Sequence, residues 1–112
     1  MTMEELVAFA RLAEKRFKAM NKDNASDKER LYAQTVKLGE EFGELCEAIM
    51  AHAGDQRKEK LEQHSPQKLK EELADCVVVL FILAEKLQVD LPQALREKTA
   101  ILQDRYKDIG VE

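Results

Sequence analysis

The sequence predicts an all-α domain of four helices. Three observations carry that expectation. Apolar residues recur at helical spacing through each long segment. Only four Gly and two Pro occur in 112 residues, so turns are few and helices can run long. A Ser, Thr or Asp stands at the head of each periodic run, where a helix N-cap belongs. The length suits a single domain over residues 1–112, and 45% hydrophobic with 36% charged residues is a globular composition, not a disordered one.

The first helix is expected from Met3 to Met20. Thr2 and Glu5 have capping-box spacing, and Leu6, Phe9, Ala10, Ala13 and Phe17 form one apolar stripe. Asn21 to Ala25 is a polar break. Ser26 and Glu29 form a second capping box, opening a helix from Asp27 to His52 with Leu31, Leu38, Phe42, Leu45 and Ile49 on one face. Gly39 and Gly43 interrupt it, each at a cost of up to about 1 kcal/mol relative to Ala. They mark either a close approach by another backbone or ligand, or tolerated surface positions. Ala53 to His64 is a charged connector, read as loop or a poorly ordered helical turn. Ser65 followed by Pro66 is an N-cap with first-turn proline, so the third helix runs from Pro66 to Gln88. Asp90 caps the fourth, which extends to Tyr106.

The run Cys76 to Ala84 is rich in β-branched residues and has the composition of a buried strand. Length decides for helix: Gln67 to Leu91 holds no Gly or Pro, and the helix-forming KLKEEL and EKLQ flank the run. A helix apolar all round must be covered all round, and so few neighbours in one subunit can hardly do that. The segment is therefore expected to form a subunit interface as well as the core.

The net charge is −4, so the bulk field does not attract polyanions, and nucleic acid is not an expected partner. A phosphorylated ligand would need local positive charge, which a divalent cation supplies. Cys46 and Cys76 are too few for a disulfide framework or a CxxC site and are expected as two buried thiols in a reducing compartment. The N-terminal segment opens with acids and has no uninterrupted apolar core, and the longest apolar run falls far short of the ~20 residues that span a bilayer. A cytoplasmic protein without membrane association is expected.

Glu41 and Glu44 lie three apart on the second helix, beside its apolar stripe. Glu72 and Asp75 repeat that spacing on the third, at the head of the apolar run. Asp75 has Val78, Val79 and Ile82 as its helical neighbours and is expected to be buried. An unpaired carboxylate there would cost several kcal/mol to ionise. A divalent cation shared between the helices resolves that conflict, and an oxygen-only donor set suits Mg²⁺ or Mn²⁺.

The run Glu40-Glu41-Phe42-Gly43-Glu44, followed after the connector by Glu72-Leu73-Ala74-Asp75, resembles the EExxE…ExxD signature of the MazG-like all-α nucleotide pyrophosphohydrolases. The surrounding KLGEEFGELCEAI, EELADCVVVLFILAEKLQVDLPQALREK and DRY are similar too, so the likeness covers Leu31 to Tyr106. It implies a helical bundle assembled as a dimer or dimer of dimers. It also implies hydrolysis of a nucleoside triphosphate to monophosphate and pyrophosphate, with Mg²⁺ (or Mn²⁺) held by Glu41, Glu44, Glu72 and Asp75. Glu40 or Glu44 is the candidate to accept a proton from water. The family's C-terminal lysine and Arg-Tyr pair look like Lys98, Arg105 and Tyr106 here, read as triphosphate contacts or as ordinary surface charge. Lys37, one turn before Glu41, is a further candidate for substrate contact or for pairing with that acid.

Two other readings compete. Phosphoribosyl-ATP pyrophosphohydrolases resemble the chain in their helical acids, but they usually carry a histidine where Val79 stands. A non-catalytic helical interaction protein would need the acids to be only a solvated face. A di-iron carboxylate bundle is excluded, since no Glu-x-x-His motif occurs on either acidic helix. His52 and His64, at the connector, receive no role.

Overall fold

The computed structural model describes residues 1–21 and 24–111. Lys22 and Asp23, within the polar break, and Glu112 lie outside the described residues. The order is α1 (Met3–Ala19), α2 (Asp27–His52), α3 (Lys58–Gln63), α4 (Pro66–Leu87) and α5 (Leu91–Arg105), with a final 3₁₀ turn over Lys107–Ile109. No strand occurs among the described residues, and no helix there is long and apolar enough to cross a membrane. The expected connector loop contains the six-residue α3, which buries none of its residues.

The caps act where the sequence places them. Ser26 Oγ accepts from the Glu29 amide, and Glu29 accepts in return from the Ser26 amide. Thr2, Ser65 and Asp90 each accept from the amide three residues on. The Thr2 cap of α1 lacks the reciprocal glutamate half. Helix α4 stops at Gln88, whose φ of 56° puts a non-glycine residue in the left-handed region.

Packing is organised around α4, which lies against both α1 and α2. On α2 a line of less exposed residues, Leu31, Gln34, Leu38, Glu41, Leu45 and Ala48, alternates three and four apart. On α4 one line of less exposed residues, Leu69, Glu72, Cys76, Val79, Leu83 and Lys86, shows the same alternation. Two such lines make a coiled-coil-like seam. The helices run antiparallel, because Glu41 meets Glu72 and Asp75 while Ala48 and Ala51 share a cavity with His64 and Lys68. A second face of α4 packs Phe81 and Ile82 against Ala10 and Ala13 of α1, with Leu6, Val7, Val78 and Leu91 around them. A buried ion pair, Lys86 to Glu14 at 2.7 Å, ties α1 to α4.

The buried lines differ from the expected stripes. Phe9 and Phe17 of α1, and Phe42 and Ile49 of α2, are exposed; the small Ala10, Ala13, Ala48 and Ala51 are buried instead. Small side chains let three helices approach closely, and the bulky residues next to them point outward. A third line on α4, made of Leu73, Val77, Leu80 and Leu87, also faces outward in the single chain. Helix α5 leaves the bundle after its first turn: Pro92 alone among its residues is buried, and Arg96 pairs with Glu4 at 3.0 Å. The radius of gyration is 17.5 Å, where a compact chain of this length has about 13 Å.

Candidate metal centre

Two carboxylates occupy positions in the α2–α4 seam that an apolar side chain would otherwise fill. Glu41 of α2 is buried at 6% exposure, and Glu72 of α4 is half-buried. Asp75 joins them at the rim: one carboxylate oxygen from each of the three lies within 4.8 Å of the others. The expectation that Asp75 is buried is overturned, for Asp75 is exposed. Apolar neighbours on the same helix do not cover a side chain; a facing element must, and α2 meets Asp75 only at its rim and leaves it open. The burial argument passes to Glu41.

The charges of the cluster are only partly compensated within the chain, by one lysine. Glu41 Oε1 accepts from Lys37 Nζ at 3.1 Å, and this bond is the largest cause raising the Lys37 pKa. Glu41 Oε2 and Glu72 Oε2 are buried with no hydrogen-bond partner. An unmet buried acceptor costs about 1–3 kcal/mol, and more when charged. Burial pushes the Glu72 carboxyl above the usual carboxylate range. The charge of Glu44, a hydrogen bond with it, and the charges of Asp75 and Glu41 push the same way. Glu44 itself is exposed on α2, within reach of Glu72 from the solvent side. Glu40 is exposed and 3.9 Å from Lys37 Nζ. Burial and the same acids raise the Cys76 thiol, which stays protonated and inert. Cys46 is exposed, against the expectation that both thiols are buried.

The donor set fits a divalent cation. All donors are oxygens, two are buried and unpartnered, and the mutual repulsion of the acids is the penalty that such an ion removes.

Beside the acids lies a cavity of about 380 Å³, lined by Glu44, Glu47, Ala48, Ala51, Lys60, His64, Lys68 and Glu72. Sequence reasoning misses its cationic residues, although one signal points to them: Lys68 precedes Glu72 by four residues, as Lys37 precedes Glu41. A larger cavity, about 590 Å³, sits where α1, α4 and α5 meet and includes none of the cluster residues.

Lys98, Arg105 and Tyr106 are exposed at or beyond the middle of α5. None lines the cavity beside the acids. Helix α5 starts at the far end of α4, roughly 20 Å along the axis from Asp75 at 1.5 Å per residue. Within one chain these three residues are not brought to the acids.

A sequence model of the MazG nucleotide pyrophosphohydrolase domain matches residues 32–110. No curated protein and no solved structure matches the chain. The match covers most of the chain, including α2 from Tyr32 onward, the connector and all of α4. The chain belongs to the MazG nucleotide pyrophosphohydrolase domain family.

Proposed function

We propose that this protein hydrolyses nucleoside or deoxynucleoside triphosphates to the monophosphate and pyrophosphate, with Mg²⁺ or Mn²⁺ as cofactor. The observation that carries the reading is the pair of buried, unpartnered carboxylate oxygens on Glu41 and Glu72, set with Asp75 in an otherwise apolar seam. Glu41, Glu44, Glu72 and Asp75 would hold the ion. When bound, it supplies Lewis acidity toward phosphate oxygens and lowers the pKa of a coordinated water.

The chain's own residues carry the rest. Attack of water on the phosphorus beside the α,β-bridge oxygen breaks that P–O bond and expels pyrophosphate. The water's proton passes to a carboxylate; Glu44 and Glu40, exposed beside the cluster, are the acceptors within reach. Lys37 Nζ donates to Glu41 Oε1 and orients that carboxylate for the ion. At the position that would distinguish a phosphoribosyl-ATP pyrophosphohydrolase stands the buried Val79, which offers no proton donor.

We also propose a homodimer or a dimer of dimers. Leu73, Val77, Leu80 and Leu87 on α4 and the unsupported length of α5 leave apolar surface that soluble monomers rarely tolerate. Lys98, Arg105 and Tyr106 would then approach the acids of a partner, not those of their own chain.

The test is pyrophosphate release from a panel of common nucleoside triphosphates with Mg²⁺. Turnover that EDTA abolishes and Mn²⁺ restores is expected. Full turnover in excess EDTA, or none on any triphosphate, would overturn the proposal.

A further inference from the structure

The cavity between α2, α3 and α4 is unlike a base-binding pocket. Its volume of about 380 Å³ lies at the low end for small-molecule sites. Its apolar lining consists of Ala48 and Ala51 alone, and no Phe, Tyr or Trp lines it to offer a broad face on which a base would stack. The remaining residues divide by sign. Glu44 and Glu72 belong to the metal cluster at one end, while Lys60, His64 and Lys68 stand toward the connector, with Glu47 between.

The cations are placed by separate elements. Lys68 sits one helical turn before Glu72 on α4, hence roughly 6 Å along the axis. Among the described residues it has no ion-pair partner. Lys60 projects from α3 and pairs with Glu47 at 3.1 Å. His64 follows α3, with its Nε2 3.3 Å from His52 Nδ1 and its buried Nδ1 lacking a partner. These two polar contacts fasten a helix that buries nothing of its own. A segment held that way is a strap over the cavity, and its useful product is the position of Lys60.

We propose that this cavity binds the polyphosphate chain of the substrate, with Lys68 and Lys60 neutralising the phosphate oxygens that extend beyond the metal cluster. This rests on the triphosphate reading above and adds a direction to it. The phosphates run along the seam toward α3, so the base lies on the opposite side of the cluster. His64 and His52 are positioning residues that hold α3 in place.

The experiment measures binding of inorganic tripolyphosphate with Mg²⁺ by isothermal titration, alongside Mn²⁺ binding without phosphate. Lys68→Gln and Lys60→Gln should each weaken tripolyphosphate binding by about tenfold and the double variant further, as expected when a charge-assisted contact is lost. Lys68→Arg should retain most of the affinity. Mn²⁺ binding should not move in any of these variants, and the melting midpoint should not move in Lys68→Gln, which breaks no ion pair. In turnover the lysine variants should raise KM more than they lower kcat. Undiminished tripolyphosphate affinity in the double variant would overturn the proposal. So would a parallel loss of Mn²⁺ binding, which would make the lysines supports of the cluster. If the wild type cleaves no nucleotide yet binds tripolyphosphate through these lysines, the activity reading fails and this one stands. If the double variant turns over normally with KM unchanged, the activity reading stands and this one fails.

Discussion

Replacing Glu72 with Gln should make the metal-free protein more stable while destroying its response to metal. Carboxylate oxygens of Glu41 and Glu72 lie within 4.8 Å of one another inside the seam. Two unit charges at that distance repel by about 3.5 kcal/mol at an effective dielectric of 20. The exposed Asp75 adds less, about 1 kcal/mol at the dielectric of water. The raised pKa of Glu72 limits the penalty, because the protein can keep a proton there. The expected net gain of Glu72→Gln in EDTA is therefore about 1–3 kcal/mol, or at least ~4 °C in melting midpoint for a domain of this size. With free metal a hundredfold above its Kd, the wild type should gain about 2.7 kcal/mol, and the variant, short of one ligand charge, much less. The order of the two melting curves should narrow or invert on adding Mg²⁺. Thermal melts at fixed protein concentration, with EDTA and with Mg²⁺ or Mn²⁺, measure both effects. A variant that melts below the wild type in EDTA, or a wild type that neither ion shifts, would refute the argument. The variant should also fold and lose pyrophosphohydrolase activity.

The same carboxyl sets a pH dependence. Its folded pKa is raised above 4.5, so the stability it contributes without metal is complete below 4.5 and is lost as pH rises through the folded value; EDTA melts between pH 4 and 8 should show that decline. Metal binding needs the deprotonated form, so the shift produced by Mg²⁺ should grow over the same range. Gln88→Gly should stabilise the protein by about 1 kcal/mol by relieving the left-handed cap of α4, read as a higher urea midpoint at unchanged slope. Light scattering of the wild type should give at least twice the chain mass of 12.8 kDa, and Val77→Glu, on the outward line of α4, should lower it toward the single-chain value. A wild type at 12.8 kDa across a dilution series would remove the assembly argument.

Helix boundaries were legible because caps are local. Ser26, Ser65 and Asp90 each bond an amide three residues away, and no distant contact is needed to find them. The carboxylate pairs were legible for the same reason, since three-residue spacing puts both acids of a pair on one side of a helix. Burial was not. Asp75 and Glu41 have similar apolar company in sequence, and only the docking of α2 on α4 decides that Glu41 is covered and Asp75 is open. Cys46 and Phe42 went the same way: each is apolar in a helical pattern, and each faces outward because small alanines form the contact. Lys60, His64 and Lys68 were not legible as a group, because charged residues in a connector ordinarily face solvent. Their gathering depends on how α3 folds back over the end of the seam.

The seam acids also bear on how α2 and α4 find their alignment. A strictly apolar heptad line lets one antiparallel helix slide past another by seven residues with little loss, because each knob finds an equivalent hole. Here a slip of one heptad would set Glu41 against Val79 and Leu83 and Glu72 against Ala48 and Ala51. Each acid would be stranded in hydrocarbon, apart from the other and from any shared cation. The native alignment is the one in which both acids meet, where the proposed cation would answer both. Divalent cation present during folding would then select among alignments as well as stabilise the finished hairpin, and a chain refolded in chelator would have a weaker reason to prefer the native one.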